Sequence, residues 1–316
     1  MWGTSSRKDT LDAYWAFYRI QCERALHDDG RHIQCRTHKD VQEIIKMLQA
    51  GHSRCEIRDI LRHQFTKQHA NELTILNNSI DLAASILLMI EFADDPYRFS
   101  GARRLCWERG SLKDCIANCF DSPPKLGHEG TKLPRMFNAV SLQRIAGVHV
   151  VPTSNLLDHM RLTHDDTRLL IFNNASVLKR QSQDSMFPAS LIEETLATLA
   201  LLFPSDDAAV REWYDNISVG ASVDSQVVMC GWLKTDDRQI EKFKHWHDRL
   251  VVLKQVFDEA TPRTMSQWWH DRRNGVQWYT FWVAIVVLAL TLTFGLIQSI
   301  EGALQVYGTF RDNKGN

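Results

Sequence analysis

Three residues near the N-terminus have side chains that bind metal ions, and they are spaced at every third position: His32, Cys35 and His38. A structural zinc site usually has four ligands, and a second ligand pair is typical. The spacing of Cys115 and Cys119, with three residues between them, does not supply that pair. We therefore predict no metal site and interpret the 32–38 segment as a polar loop beside a helix.

Aspartates also occur as adjacent pairs, and a pair on a helix can hold magnesium and diphosphate when a third acid follows one turn later. None of the pairs has that third acid, and each lies at a predicted helix end or turn, where aspartate caps backbone N–H groups. We predict that they form turns and caps. The pairs are 28–29, 94–95, 165–166, 206–207 and 236–237.

Asp158 and His159 are adjacent, and a histidine beside an acid is a candidate general base. Neighbouring residues on a helix diverge by about 100°, however, and do not form a dyad. The chain also lacks the G-x-S-x-G motif of serine hydrolases and the glycine-rich loops of nucleotide-binding proteins. We therefore assign no catalytic residue and predict no cofactor.

Hydrophobic periodicity predicts a mostly helical body that positions these residues. Short strands are expected near 145–153 and 168–173, with a turn of helix at 154–160 between them. The fold class is mainly α with a small β element (α+β). The predicted helices are 10–26, 39–49, 53–65, 72–92, 188–203, 207–216 and 237–259, with a short helix within 105–121.

The composition of the 316 residues is that of a folded protein, 44% hydrophobic and 24% charged. The formal net charge of −1 gives no basic excess, so we predict no nucleic-acid partner. Seven cysteines without paired spacing suit reduced thiols better than a disulfide framework.

The apolar excess is concentrated in one C-terminal run, YTFWVAIVVLALTLTFGLI, at 279–297. As a helix it measures about 28 Å, close to the thickness of the bilayer hydrocarbon. Its Leu, Ile, Val and Phe residues together favour insertion by roughly 3 to 7 kcal/mol. Trp278, Tyr279 and Trp282 are typical of an aromatic belt at the interface. The run is predicted to cross a membrane once.

The expected organisation is a soluble body at 1–260, a juxtamembrane helix at 261–277, a transmembrane helix at 278–300 and a short tail at 301–316. Several arginines precede the span, whereas only Arg311 and Lys314 follow it, beside Asp312. The positive-inside rule and the late synthesis of the span both favour a cytosolic body. The organelle is left open.

Four stretches of the chain resemble a large group of filamentous-fungal proteins, most of which have no assigned activity. They are ANELTILNNSIDLAASILLMI, LPRMFNAVSLQRIAGVHVVPTSNLLDHMRL, LLIFNNASVL and the C-terminal WWHDRRNGVQWYTFWVAIVVLALTLTFGLIQSIEGALQVY. The resemblance implies a soluble helical body followed by a C-terminal transmembrane helix. It implies no mechanism.

The far half of the span has small residues at every fourth position, Gly295, Ser299 and Ala303, where a second helix could approach closely. Gln298 and Glu301 lie on a neighbouring stripe, and Glu301 is alternatively a residue of the headgroup interface. We predict a possible helix–helix contact through these five residues.

Two functions remain open on the sequence alone. The first is a single-pass membrane protein whose body is a protein-interaction or scaffold module, with the lipid bilayer and a protein partner or second copy as its partners. The alternative is a membrane-tethered enzyme acting on a lipophilic metabolite. A tryptophan-lined pocket that converges on Asp158, His159 or an aspartate pair would favour the enzyme.

Overall fold

The computed structural model describes residues 11–63, 71–93, 101–127, 131–181, 186–218, 223–261 and 275–312. The chain divides into two compact units, Met1–Ala260 and Thr261–Asn316. Most of the predicted juxtamembrane helix and one aspartate pair, 94–95, lie outside the described residues.

The first unit, which we call the body, is mainly helical, as its sequence predicts. Its helices are α1 (Asp12–Ala25), α2 (His38–Gln49), α3 (Arg54–Arg62), α4 (Glu72–Leu88), α5 (Leu112–Phe120), α6 (Ala139–Arg144), α7 (Ala175–Gln181), α8 (Ala189–Leu202), α9 (Ala208–Ser218) and α10 (His247–Glu259). The predicted fold class, mainly α with a small β element, is confirmed.

Helix α4 is the centre of the N-terminal half and packs against α1, α2 and α3. Its residues Leu76, Ile80 and Ala83 are completely buried. Helix α3 begins within one residue of its predicted start, because Ser53 and Glu56 form a reciprocal capping box there.

A three-stranded sheet lies in the second half of the body, with β1 at His149–Thr153, β2 at Arg161–Thr163 and β3 at Arg168–Phe172. Strand β3 is central, parallel to β1 and antiparallel to β2. The turn between β2 and β3 contains Asp165 and Asp166, both at positive φ. Asp is tolerated in that conformation, and the predicted turn at this pair is confirmed.

Three short elements are absent from the sequence-based prediction: α6, α7 and β2. Each has seven residues or fewer, which is too short for a hydrophobic period to be recognised. The predicted strand at 145–153 begins only at His149, because the chain turns at Gly147, where φ is 69°.

The predicted helix at 237–259 is wrong in its first ten residues, which form two short 3-10 turns, and α10 begins at His247. Glu194 of α8 holds the segment just before α10, because its buried carboxylate accepts hydrogen bonds from the backbone N–H groups of Lys244, His245 and Trp246. These groups precede the first turn of the helix. A contact from a different helix is not indicated by any periodicity within 237–259.

In the described part of the second unit, 275–312 together with residue 261, the structure has one helix, α11, that runs from Gly275 to Asp312. Among the described residues it is the one helix long and apolar enough to cross a membrane, over Trp278–Val306, and none of that 29-residue window is buried. The helix continues beyond residue 300 into the segment predicted as a tail.

Candidate functional site

The five residues predicted for a helix–helix contact all lie exposed on α11. Gly295, Ser299 and Ala303 are four residues apart and therefore share one face, with Gln298 and Glu301 beside it. A side chain added at Gly295 would meet nothing within 4 Å. A larger residue at this position therefore fits the single chain, and only a neighbouring helix would oppose it.

The structure does not bring the side chains of His32, Cys35 and His38 together as a set of metal ligands. Cys35 is buried, and burial raises the pKa of its thiol to about 11. The ring of His38 is hydrogen-bonded through Nδ1 to the hydroxyl of Tyr18, 2.6 Å away. Throughout the described ranges, no group of three or more His, Cys, Asp or Glu residues could hold a metal ion.

Asp158 is buried and serves the fold. Its carboxylate accepts the backbone N–H of Arg103 at 3.1 Å and the side-chain amide of Asn155 at 3.0 Å. It also forms an ion pair with Arg161, whose Nη1 lies 2.6 Å away. The bonds join the 101–103 segment to the sheet.

His159 is completely buried, and its ring nitrogens bond to Phe172 and Thr198, not to Asp158. Its Nδ1 accepts the N–H of Phe172 at 3.1 Å, so the ring proton is on Nε2, which donates to Thr198 at 2.7 Å. Thr198 in turn donates to the carbonyl of Thr195. Burial, with Arg249 nearby, lowers the pKa of His159 well below its usual value, so the ring is neutral.

Arg249 and Trp246 also contact His159. The guanidinium of Arg249 donates to the carbonyl of His159 and lies over the Trp246 ring, 5.0 Å from its centroid. Burial lowers the pKa of Arg249 to about 10. The indole N–H of Trp246 donates to Thr195.

We call Asp158, His159, Thr198, Trp246 and Arg249 the His159 cluster. Both ring nitrogens of the histidine are bonded within the protein. A general base needs a free lone pair within reach of a substrate proton. This cluster therefore connects the sheet to α8 and α10 and presents no such base.

A cleft of about 440 Å³ on the body has a different character. It lies between the end of α8, the start of α9 and the loop at 231–238. We call it the Arg238 cleft. Its charged and polar lining residues are Arg135, Asp206, Asp207, Lys234, Thr235 and Arg238, and Trp232, Ala200 and Leu201 belong to the apolar part of its surface.

Backbone bonds hold the loop that forms one wall of this cleft. Gly231 has a φ of 94°, which favours glycine, and its carbonyl accepts the N–H of Ser205 at 3.0 Å. The carbonyl of Arg238 accepts the N–H of Leu133 at 2.8 Å. The wall is therefore attached to two segments distant in sequence.

Both carboxylates of the cleft already have partners. Asp206 forms an ion pair with Arg135, 2.8 Å away. Asp207 caps α9 by accepting the N–H groups of Ala209 and Val210, as predicted for this pair. Two cations, those of Lys234 and Arg238, are left over.

The guanidinium of Arg238 is poorly satisfied. Its Nε and Nη1 atoms are shielded from solvent and have no hydrogen-bond partner among the residues that the structure describes. A buried donor without a partner costs about 1–3 kcal/mol, and more when charged. The buried guanidinium of Arg54, by contrast, binds both oxygens of Asp81 at 2.5 and 3.0 Å.

Sequence reasoning identified only the aspartate pair of this cleft and missed Trp232, Lys234 and Arg238. The lining residues come from positions near 135, 200–208 and 232–238, and no local motif joins them. The one available signal, a glycine before a tryptophan and a lysine, is too common to indicate a site.

Comparison of the chain with known proteins finds no matching family model, no matching curated protein and no matching solved structure.

Proposed function

We propose that this chain is a single-pass membrane protein whose body lies in the cytosol and acts as a protein-interaction or scaffold module. The observation that carries the proposal is α11, whose 29-residue apolar window has no buried residue. An apolar surface of that size is unfavourable in water and favourable in lipid. The bilayer is thus the first proposed partner.

The cytosolic orientation is supported by two features. The arginines Arg263, Arg272 and Arg273 precede the span in the sequence, and positive charge favours the cytosolic side. All seven cysteines, furthermore, are free thiols, which suits a reducing compartment.

The interaction role is supported by apolar side chains that the body leaves exposed along and just after α1: Trp15 at 52%, Ile20 at 47% and Leu26 at 64%. Tryptophan is enriched among residues that dominate protein interfaces. A second contact is proposed within the membrane, through Gly295, Ser299 and their neighbours on α11.

Protease protection on intact microsomes, with a tag at each terminus, tests the orientation. We expect the N-terminal tag to be digested and the C-terminal tag to survive. A protected N-terminal tag would overturn the cytosolic body and the support that it gives to an interaction role.

Site-specific photo-crosslinking in those membranes tests the interaction. A photoreactive residue at Trp15 should give a discrete crosslinked product, and one at the exposed residue Arg168 of β3 should not. Replacing Gly295 and Ser299 with Leu should remove any crosslinked dimer formed through α11. Equal crosslinking at positions 15 and 168 would refute the α1 surface, and an unchanged dimer would refute the α11 contact.

The alternative, a membrane-tethered enzyme for a lipophilic metabolite, has one observation in its favour. The Arg238 cleft contains a tryptophan and an aspartate pair. Both carboxylates are bonded within the protein, however, and the charged lining does not suit a lipophilic substrate. The interaction module is therefore the function that we put forward.

A further inference from the structure

We propose that the Arg238 cleft binds a small soluble phosphate ester, whose phosphate is held by Arg238 and Lys234 and whose organic part lies against Trp232. This assigns a ligand site to the body, beyond the proposed interaction role. The unsatisfied guanidinium is the main argument for it.

The geometry of a guanidinium explains why an anion would satisfy Arg238. Nη2 pairs with Nη1 at the end of the group and with Nε along its side, and each pair can donate two parallel hydrogen bonds to one oxyanion. In Arg238 the two shielded nitrogens are Nε and Nη1, and the residue lines the cleft. Because Nε and Nη1 are closed to solvent, an anion bound at Nη2 reaches one of these unpartnered donors when the Arg238 side chain turns toward the cleft.

The charge balance of the lining favours a doubly charged group. Asp206 and Arg135 neutralise each other, and Asp207 is bonded to the first turn of α9. Lys234 lines the cleft and has no salt bridge within 4 Å among the described residues; its nearest named electrostatic partner, Asp237, is already paired with Lys242. The charges of Lys234 and Arg238 are therefore not neutralised by a free carboxylate of the lining. Two positive charges match a phosphate dianion better than they match the single charge of a carboxylate ligand.

The size and surface of the cleft favour an organic phosphate over phosphate alone. Its volume of about 440 Å³ falls in the range of small-molecule sites, roughly 300–1,000 Å³. The ring of Trp232 is 60% exposed at the cleft. An exposed indole offers a planar apolar surface for the rest of the ligand.

Phenyl phosphate, inorganic phosphate and benzoate test the proposal by isothermal titration calorimetry on the full chain in phosphatidylcholine nanodiscs. We expect saturable binding of phenyl phosphate, weaker binding of inorganic phosphate and the weakest binding of benzoate. Absence of saturable binding up to about 10 mM, equivalent to less than about 3 kcal/mol of affinity, would overturn the site. Benzoate binding as tight as phenyl phosphate would overturn the assignment to phosphate.

Variants locate the binding. Arg238→Gln should weaken phenyl phosphate by about tenfold or more, because the paired donors are lost. Lys234→Gln and Trp232→Ala change exposed residues and should each weaken it by a few-fold; they keep the test valid if Arg238→Gln does not fold. Arg168→Gln, at an exposed arginine of β3, is the matched control and should bind as the wild type does. Unchanged binding in all three cleft variants would overturn the proposal.

The source of the phosphate is tested by adding phosphatidic acid to the nanodiscs. A soluble ligand predicts that the apparent affinity for phenyl phosphate is unchanged. Competition that depends on Arg238 would show that a lipid headgroup occupies the cleft and would overturn the assignment to a soluble ligand.

Discussion

The His159 cluster and the Arg238 cleft are two polar groups of the same body that differ in how completely their bonds are made. Both ring nitrogens of His159 have partners within 3.1 Å, and the residue has no exposed surface. Two donors of Arg238 have none among the described residues, although they are shielded from solvent.

The difference separates polar groups that stabilise a fold from groups available to a ligand. A buried polar group with all of its hydrogen bonds contributes to a unique structure, whereas one that lacks them costs free energy until something binds. Asp158 and His159 were the more conspicuous pair in the sequence because they are adjacent and titratable. In the structure they stabilise the fold.

The largest effect should come from breaking the His159 cluster at Asp158. Replacing Asp158 with Ala leaves Arg161 without its carboxylate and removes an acceptor for Arg103. We expect a loss of about 3 kcal/mol in the free energy of unfolding, at the lower end for buried pairs because Arg161 is partly exposed. Urea unfolding of the full chain in detergent measures it.

Asp237→Ala is the control for this change, because Asp237 pairs with Lys242 at the surface, where both side chains are about half exposed. It should leave the unfolding midpoint unchanged. Equal effects of the two substitutions would mean that the Asp158 bonds do not stabilise the fold.

A smaller effect should appear as a pH dependence from His159. Its pKa is lowered in the folded state, so the folded protein resists protonation while the unfolded chain accepts a proton near the usual value of 6.5. The stabilisation is therefore complete above pH 6.5 and is lost as the pH falls below it, by up to about 1.4 kcal/mol per pH unit.

Unfolding curves between pH 7.5 and pH 5 measure that slope. His159→Gln should be less stable at neutral pH and should show a slope reduced by one proton. His164→Gln, at an exposed position of the β2–β3 turn, should keep the wild-type slope. An identical slope in His159→Gln would show that another group carries the dependence.

The smallest effect, and one of opposite sign, is expected at Arg238. In phosphate-free buffer, Arg238→Met removes unsatisfied donors and keeps an unbranched apolar side chain, so stability should be unchanged or higher by up to about 1 kcal/mol. Phenyl phosphate should stabilise the wild type and not the variant. Thermal unfolding with and without the ligand tests both statements, and a clear loss of stability without ligand would contradict them.

Local patterns made much of this fold predictable. The capping box of Ser53 and Glu56 and the apolar face of α4 depend on residues within one element, so they are readable from the sequence. The non-helical segment before α10 was not readable, because the Glu194 carboxylate that binds its backbone N–H groups lies some fifty positions earlier in the chain.

The Arg238 cleft shows the same limit more strongly. Its cations, its tryptophan and its aspartate pair come from three separate segments, and only the packing of α8 and α9 brings them together. An unsatisfied guanidinium is, moreover, a property of three-dimensional surroundings. No spacing of residues in the sequence indicates it.

The length of α11 has a consequence for how the helix would lie in a bilayer. The candidate span Trp278–Val306 measures about 43 Å as a helix, but its uncharged run at 279–297 measures about 28 Å and by itself matches the roughly 30 Å of an average hydrocarbon core. About 14 Å of helix, at 298–306, is therefore left over for the headgroup layer. Gln298, Glu301 and Gln305 belong to this stretch, and their polar side chains would be hydrated at that depth.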